Sequence, residues 1–310
     1  MPLGRRNAGK EFGFVPKILS VSHTMKSFSN KFIAFVDVLG FKKIVSDAEK
    51  GVGFDLEHIL SLVSYLGTGN ERERFEKSGP ICCPGAPYVE RHLDFRVTQI
   101  SDCVIVSSEV SPAGIINLVS HCWGAAIQLL HAGVMCRGYI KSGTIYHTDT
   151  QVIGSGYQDA YSAEGGVTAF KREADERGKP YIEVDPEVTA YIDAQQDACV
   201  KEMFSRMAKR ERRTAALFPF QILSHSFLIS GFGHKFDADR ERQSNQNMRT
   251  IINTVKERVR SLVDITNVSA VTKAAHYLSA LDAQLEVCDK TDEFIDELQQ
   301  PIGGRRVSDL

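Results

Sequence analysis

The sequence predicts an α/β (α+β) fold: a sheet built in the order strand, helix, two strands, helix, strand, with helices on one face, followed by a mainly helical C-terminal extension. Three observations predict it. Short apolar runs recur at Phe32–Val36, Cys103–Val106 and Val134–Ile140, as expected of buried strands. Between them lie stretches with apolar residues at helical spacing, opened by capping residues. From about Asp185 onward the helical pattern dominates.

Residues 1–30 are basic and rich in Ser and Gly, and are expected to form a flexible arm. The first strand is expected from Lys31, ending at Asp37-Val38-Leu39-Gly40-Phe41, where Gly40 permits a sharp turn. Asp55 is placed to cap a helix carrying Ile59, Leu62 and Leu66. Residues 67–93 are polar, charged and rich in Gly and Pro, and read as a long surface loop. Leu93 to Glu109 reads as two strands around a turn at Ser101-Asp102, the second apolar on both faces and so central. Ser111-Pro112 opens a helix in which Ile115, Val119, Cys122, Ala126 and Leu129 form a buried face.

A strand is then expected over Val134 to Ile140, and a separate short one through Thr144 to Tyr146. A helix follows over Gly154 to Glu176, and a strand over Tyr181 to Val184. Further on, the pattern predicts a hairpin within Phe218 to Phe232, helices over about Asp237 to Val263 and Val271 to Val287, and a polar tail from Ile302. The expected division is an arm at 1–30, a main α/β unit at 31–190 and an extension at 191–310.

With 310 residues, 43% of them hydrophobic, the chain can bury a sizeable core. Basic and acidic residues nearly balance, 37 against 39, which argues against a phosphate-neutralising surface, and no nucleic-acid partner is expected. Seven cysteines at irregular spacing suggest free thiols in a reducing cytoplasm rather than a disulfide framework. No secretory leader is read in the first thirty residues. The most apolar long stretch, Gly114 to Met135, is interrupted by Asn117, Ser120, His121, Gln128 and His131, so no membrane insertion is expected.

Two aspartates carry the functional reading. Asp37 ends the first strand, and Asp102 sits in the turn between the next two. In this topology those strands are neighbours, so the carboxylates are expected to converge at one edge. Paired carboxylates suit Mn²⁺ or Mg²⁺, which take oxygen ligands and complete their shell with substrate phosphates. Two divalent ions in such a site lower the pKa of a hydroxyl nucleophile and neutralise developing phosphate charge. The bland alternative is that each Asp merely terminates its strand. The amides of Gly40 and Phe41 suit a phosphate, although an ordinary glycine turn reads the same way. Arg137 stands inside an apolar strand, so its charge needs a partner, either an internal carboxylate or a phosphate.

Together, Phe35-Val36-Asp37-Val38-Leu39-Gly40-Phe41, Ile100-Ser101-Asp102-Cys103 and the run from Arg137 to Gly143 resemble the class III nucleotidyl cyclase catalytic domain over Lys31 to Asp185. That family's pattern is a strand ending F-x-D-[IVL]-x-G-F, a hairpin with a metal-binding Asp, then R-x-G-I-x-x-G. Purine cyclases place Lys or Glu four residues before the second Asp; here Thr98 stands there. They also carry an Asn and, four residues on, an Arg; here Ala160 and Glu164 stand there. These departures, with the stretch from Arg177 to Val188, are similar to the pyrimidine cyclases of bacterial Pycsar anti-phage defence.

The resemblance implies a ferredoxin-like core, a head-to-tail homodimer with sites at the interface, and a cyclic nucleotide made from UTP, less readily CTP. A separate effector would respond to that product. It further implies metal ligands Asp37, Asp102 and the Val38 carbonyl, and a nucleotide contact from Phe35. Phosphate contacts come from Gly40 and Phe41, with Arg137 binding phosphate or supporting Asp102. The base reader is left unassigned among Thr98, Arg96, which shares its strand face, and the partner subunit's strand. The competing readings are a purine cyclase, a diguanylate-cyclase-like or palm enzyme, and an inactive nucleotide-binding module. No G-G-D/E-E-F turn is present for the palm reading, and converging carboxylates that repel have no use in an inactive module.

Overall fold

In this computed structural model the described residues are 26–67, 93–173, 176–212, 214–223 and 236–299. Strand β1 (Ser29–Val38) leads through Gly40, at φ +79°, into helix α1 (Phe41–Glu49) and then α2 (Leu56–Ser64). Asp55 caps α2 by accepting from the His58 amide. A hairpin follows, β2 (Phe95–Ile100) and β3 (Cys103–Glu109), turning at Ser101 with φ +55°. Ser111 then caps the long helix α3 (Pro112–His131) through the Gly114 amide. Next come β4 (Cys136–His147), β5 (Val152–Ile153), α4 (Ser155–Glu164), β6 (Ile182–Val184), α5 (Pro186–Asp193) and α6 (Ala198–Met207). The chain closes with β7 (Ala208–Glu211), β8 (Thr214–Leu217), a 3₁₀ turn (Pro219–Leu223), α7 (Ala238–Leu262) and α8 (Val268–Gln299).

The main sheet runs β2-β3-β1-β4-β6-β8-β7, with β5 paired to β4. Its first four strands are antiparallel neighbours in the order 2-3-1-4, the ferredoxin-like arrangement expected. β6 lies parallel to β4, and the β7–β8 hairpin, beyond residue 190, extends the same sheet.

One face buries Phe32, Ala34, Val36 and Val38 of β1 against α1, α2 and α3. Helices also cover the other face, which corrects the expectation of a one-sided sheet. There α4 packs on Ile33, Phe35 and Ile105. Its approach is close: a Cβ on Gly143 would stand 2.7 Å from the Gly156 Cα. Over β6 and β8 the same face is covered by the α7–α8 hairpin, through Ile252, Val255, Tyr277 and Leu281. Asn245 ties that hairpin together, donating to Cys288 O and Asp292 Oδ1 at 2.7 Å each.

Other expectations are corrected in detail. β4 runs unbroken where two strands were expected, because β1 pairs with it as far as Ile145. α4 stops at Glu164, before Gly165-Gly166, rather than reaching Glu176. The late hairpin falls at Ala208–Leu217, not within 218–232; residues 219–223 form the 3₁₀ turn, and 224–232 lie outside the described residues. α8 is far longer than expected. The arm up to residue 25, most of the long loop (68–92, with Cys82 and Cys83) and the tail from 302 also lie outside them. Cys103, Cys122, Cys136 and Cys288 are free thiols, whereas Cys199 is disulfide-bonded, unlike the all-thiol expectation. Among the described residues α3 is the one helix long and apolar enough to cross a membrane; 72% of its most apolar window is buried inside the fold.

Gly133, at φ +80°, lets α7 meet the start of β4: a Cβ there would lie 2.5 Å from Arg258 Cβ and 2.7 Å from its backbone. Gly133→Ala adds both left-handed strain and a backbone clash. It is expected to lower unfolding free energy in urea by about 2 kcal/mol. A loss below about 0.5 kcal/mol would contradict this account of the packing.

Candidate active site

β1 is paired on both sides, and the two registers align residues across four strands. Asp37 stands opposite Cys103 on β3 and opposite Arg137 on β4, while Cys103 faces Ile100 on β2. Directly paired residues share a face of the sheet. Asp37 therefore lies on the α4 side, with Val36 and Val38 turned into the opposite core. Past Asp37 the chain is clamped on both edges: Val38 N donates to Asp102 O at 3.0 Å, and Leu39 N to Met135 O at 2.9 Å. The Ser101-Asp102 turn thus sits against the end of β1.

The two carboxylates come close enough to sense each other. Burial pushes the Asp37 carboxyl from 3.8 up to about 6, and the charges of Asp102 and Glu164 push the same way. Arg137 and the Val38 amide oppose them. Burial and the same two aspartates hold the neighbouring Cys103 thiol at about 11, and its Sγ donates to Ile100 O.

Arg137 shows the internal ion pair of its two readings. Its Nε donates to Glu164 Oε1 in a close contact, and its Nη1 donates to Gly178 O at 3.4 Å. Glu164 was not singled out from the sequence as a site residue. Its signal was available: Gly156, Ala160 and Glu164 recur at four-residue spacing on the buried side of α4, and a charge on a buried face needs a partner. Phe35 is buried and meets Tyr161 edge-on at 5.2 Å, with Tyr157 at 6.3 Å. Tyr161 itself is 57% exposed.

Thr98 and Arg96 share the face of Asp37 but sit one and two pleats along β2, about 7 and 13 Å up the strand direction. Thr98 Oγ1 hydrogen-bonds His147 Nε2 at 2.9 Å, and His147 Nδ1 meets Ser107 Oγ at 2.8 Å. Burial, then Lys31 and Arg96, push His147 down to about 4, so the ring is neutral at neutral pH. Arg96 donates to Asp149 at 2.7 Å and pairs with Asp94 at 3.4 Å. The structure therefore gathers Asp37, Asp102, Phe35 and Arg137, with Val38, Gly40 and Phe41 following directly on. Thr98 and Arg96 stand apart in their own polar network.

Among the described residues there is no group of three or more His, Cys, Asp or Glu arranged to hold a metal. What converges is two carboxylates and strand-end backbone. This hard, oxygen-only donor set fits Mg²⁺ or Mn²⁺, which keep several waters and take substrate phosphates, better than zinc.

No protein-family model and no curated protein matches this chain. Among solved structures it is similar to the crystal structure of the catalytic core of a rhodopsin-guanylyl cyclase with converted specificity in complex with ATPαS. That likeness has 11% identity and a TM-score of 0.31, over 61% of this chain and 95% of that one. The functional reading rests on this chain's own residues.

A carboxyl raised on folding binds protons more tightly in the folded state, so it costs stability as pH rises from about 4 to above about 6. Asp37→Asn removes that cost. In chelator-treated protein the variant is expected to melt higher than wild type near about pH 7.5, the gap closing below about pH 4. Equal or lower melting at the higher pH would contradict the crowded-carboxylate picture.

Proposed function

We propose that this chain is a nucleotidyl cyclase that converts a nucleoside triphosphate to a 3′,5′-cyclic nucleotide and pyrophosphate. The observation that carries the reading is the convergence of Asp37 and Asp102 at the end of a 2-3-1-4 sheet, with Asp37 half-buried and repelled by its neighbours. Such a pair is costly alone and is relieved by a divalent cation.

In the reaction the substrate's 3′-oxygen attacks the α-phosphorus, the bond to the pyrophosphate oxygen breaks, and the hydroxyl proton is released. Bound Mn²⁺ or Mg²⁺ would supply charge neutralisation at the α-phosphate and acidify the 3′-hydroxyl. Asp37, Asp102 and the Val38 carbonyl are the proposed ligands. The Gly40 and Phe41 amides, at the start of α1 where no side chain caps the helix, are suited to the phosphates. Phe35, with Tyr161, offers an aromatic edge beside the row of Asp37. Arg137 holds Glu164 and tempers Asp37.

Within this reading a pyrimidine substrate, UTP before CTP, follows from the resemblance and from Thr98 standing where purine cyclases place Lys or Glu. Thr98 and Arg96 remain the proposed base readers, reached from the neighbouring subunit of a homodimer. Ile100 and Tyr161, more than half exposed beside the site, suit such an interface. The cyclic product would act on a separate anti-phage effector in the cytoplasm.

Incubating the protein with each of the four NTPs and Mn²⁺ tests the proposal. Cyclic UMP or cyclic CMP is the expected product. Cyclic AMP or cyclic GMP would overturn the base assignment, and no product from folded dimer would favour an inactive binding module. Asp37→Ala is expected to abolish turnover, by at least about a hundredfold, without loss of fold; a variant that still cyclises contradicts the metal assignment.

A further inference from the structure

Beside the end of β1 lies a cleft of about 210 Å³, whose lining includes Leu39, Gly40, Lys43, Met135, Asp264 and Lys273. It lies between the Asp37–Gly40 turn and the α7–α8 hairpin. Gly40 is at most about 11 Å along the chain from Asp37, on the scale of a triphosphate.

Among the described residues, three cations near Lys273 or the cleft have carboxylate partners. Arg137 pairs with Glu164, Lys43 with Asp47, and Lys179 with Glu176 and His276. Lys273, half-buried on α8, makes no hydrogen bond or ion pair among the described residues. Burial, then the charges of Arg137 and Lys179, hold its ammonium below the ordinary lysine range, against Glu164 and Asp37. Asp264, the acid on the cleft wall, accepts from the Thr266 amide and hydroxyl and feels Lys43. A half-buried ammonium without a counter-ion is unfavourable as it stands, and an anion in the cleft would relieve it.

We propose that Lys273 binds the terminal phosphates of the substrate in this cleft, so that the α7–α8 hairpin completes the active site as well as covering the sheet. This rests on the triphosphate reading of the Asp37–Asp102 site. The hairpin then serves the site of its own chain, and the pyrophosphate leaving group departs from a pocket built partly from the C-terminal extension. Lys273 is a substrate-binding residue here, with no role in proton transfer.

The test is calorimetric titration of full-length protein with tripolyphosphate and Mn²⁺, a probe that cannot turn over. Wild type is expected to bind, Lys273→Gln to bind at least about tenfold more weakly with an unchanged melting transition, and Lys273→Arg to retain binding within about threefold. Undiminished binding by Lys273→Gln, or no binding by wild type, overturns the proposal. Should Lys273→Gln fail to fold, lysine-selective acetylation of wild type read by mass spectrometry decides. Protection of Lys273 by tripolyphosphate is expected, and equal labelling overturns the proposal. Tripolyphosphate binding that depends on Lys273, without a cyclic product from any NTP, would leave this pocket standing while removing the cyclase reading.

Discussion

β1 is held in register from both sides, by ladders to β3 and β4 that run nearly its whole length. Side chains alternate with a period of two, so a slip of one residue would turn Asp37 into the apolar layer under α3 and bring Val36 and Val38 to the other face. Ile33 and Phe35 are buried on the other side too, so the slip is opposed by the charges of Lys31 and Asp37, which it would drive into the apolar layer under α3. The alternation of charged and apolar residues that sets the strand's register therefore also fixes which way the Asp37 carboxylate points. The Asp102 turn and the Met135 carbonyl then pin the chain as it leaves the strand.

Around that point the second face of the sheet is built from charges that neutralise one another. Arg137 satisfies Glu164, Lys31 meets Asp94, and Lys179 is enclosed with Glu176 and His276. Buried ions are tolerated when paired and hydrogen-bonded. Two groups do not fit the scheme: Asp37, whose neighbours include two further carboxylates, and Lys273, which has no counter-ion among the described residues. One is short of positive charge and the other of negative charge. A metal-bound polyphosphate would supply both, which is why the proposal treats the two mismatches as one site.

The strand order and the caps at Asp55 and Ser111 were legible in the sequence, because buried strands and capped helices leave local marks. So was the meeting of Asp37 with Asp102, since neighbouring strands and a tight turn leave few alternatives. The unbroken β4 was less legible: a break was expected between Ile140 and Thr144, yet Gly143 is there to admit α4 at Gly156. Where helices cover the second face, and that Lys273 reaches the cleft, depend on long-range packing that periodicity does not encode. Thr98 and Arg96 share one face of β2, as their spacing implies, but the sequence did not reveal their bonds to His147 and Asp149, because those partners lie about fifty residues away.

The central claim is that Asp37 and Asp102 hold divalent metal jointly. Mn²⁺ binding, followed by electron paramagnetic resonance in wild type, Asp37→Asn, Asp102→Asn and the double variant, tests it most directly. Joint binding predicts that either single change removes nearly as much affinity as both together, a strongly non-additive cycle. Independent, additive losses, or Mn²⁺ bound as well by the double variant as by wild type, would contradict the account.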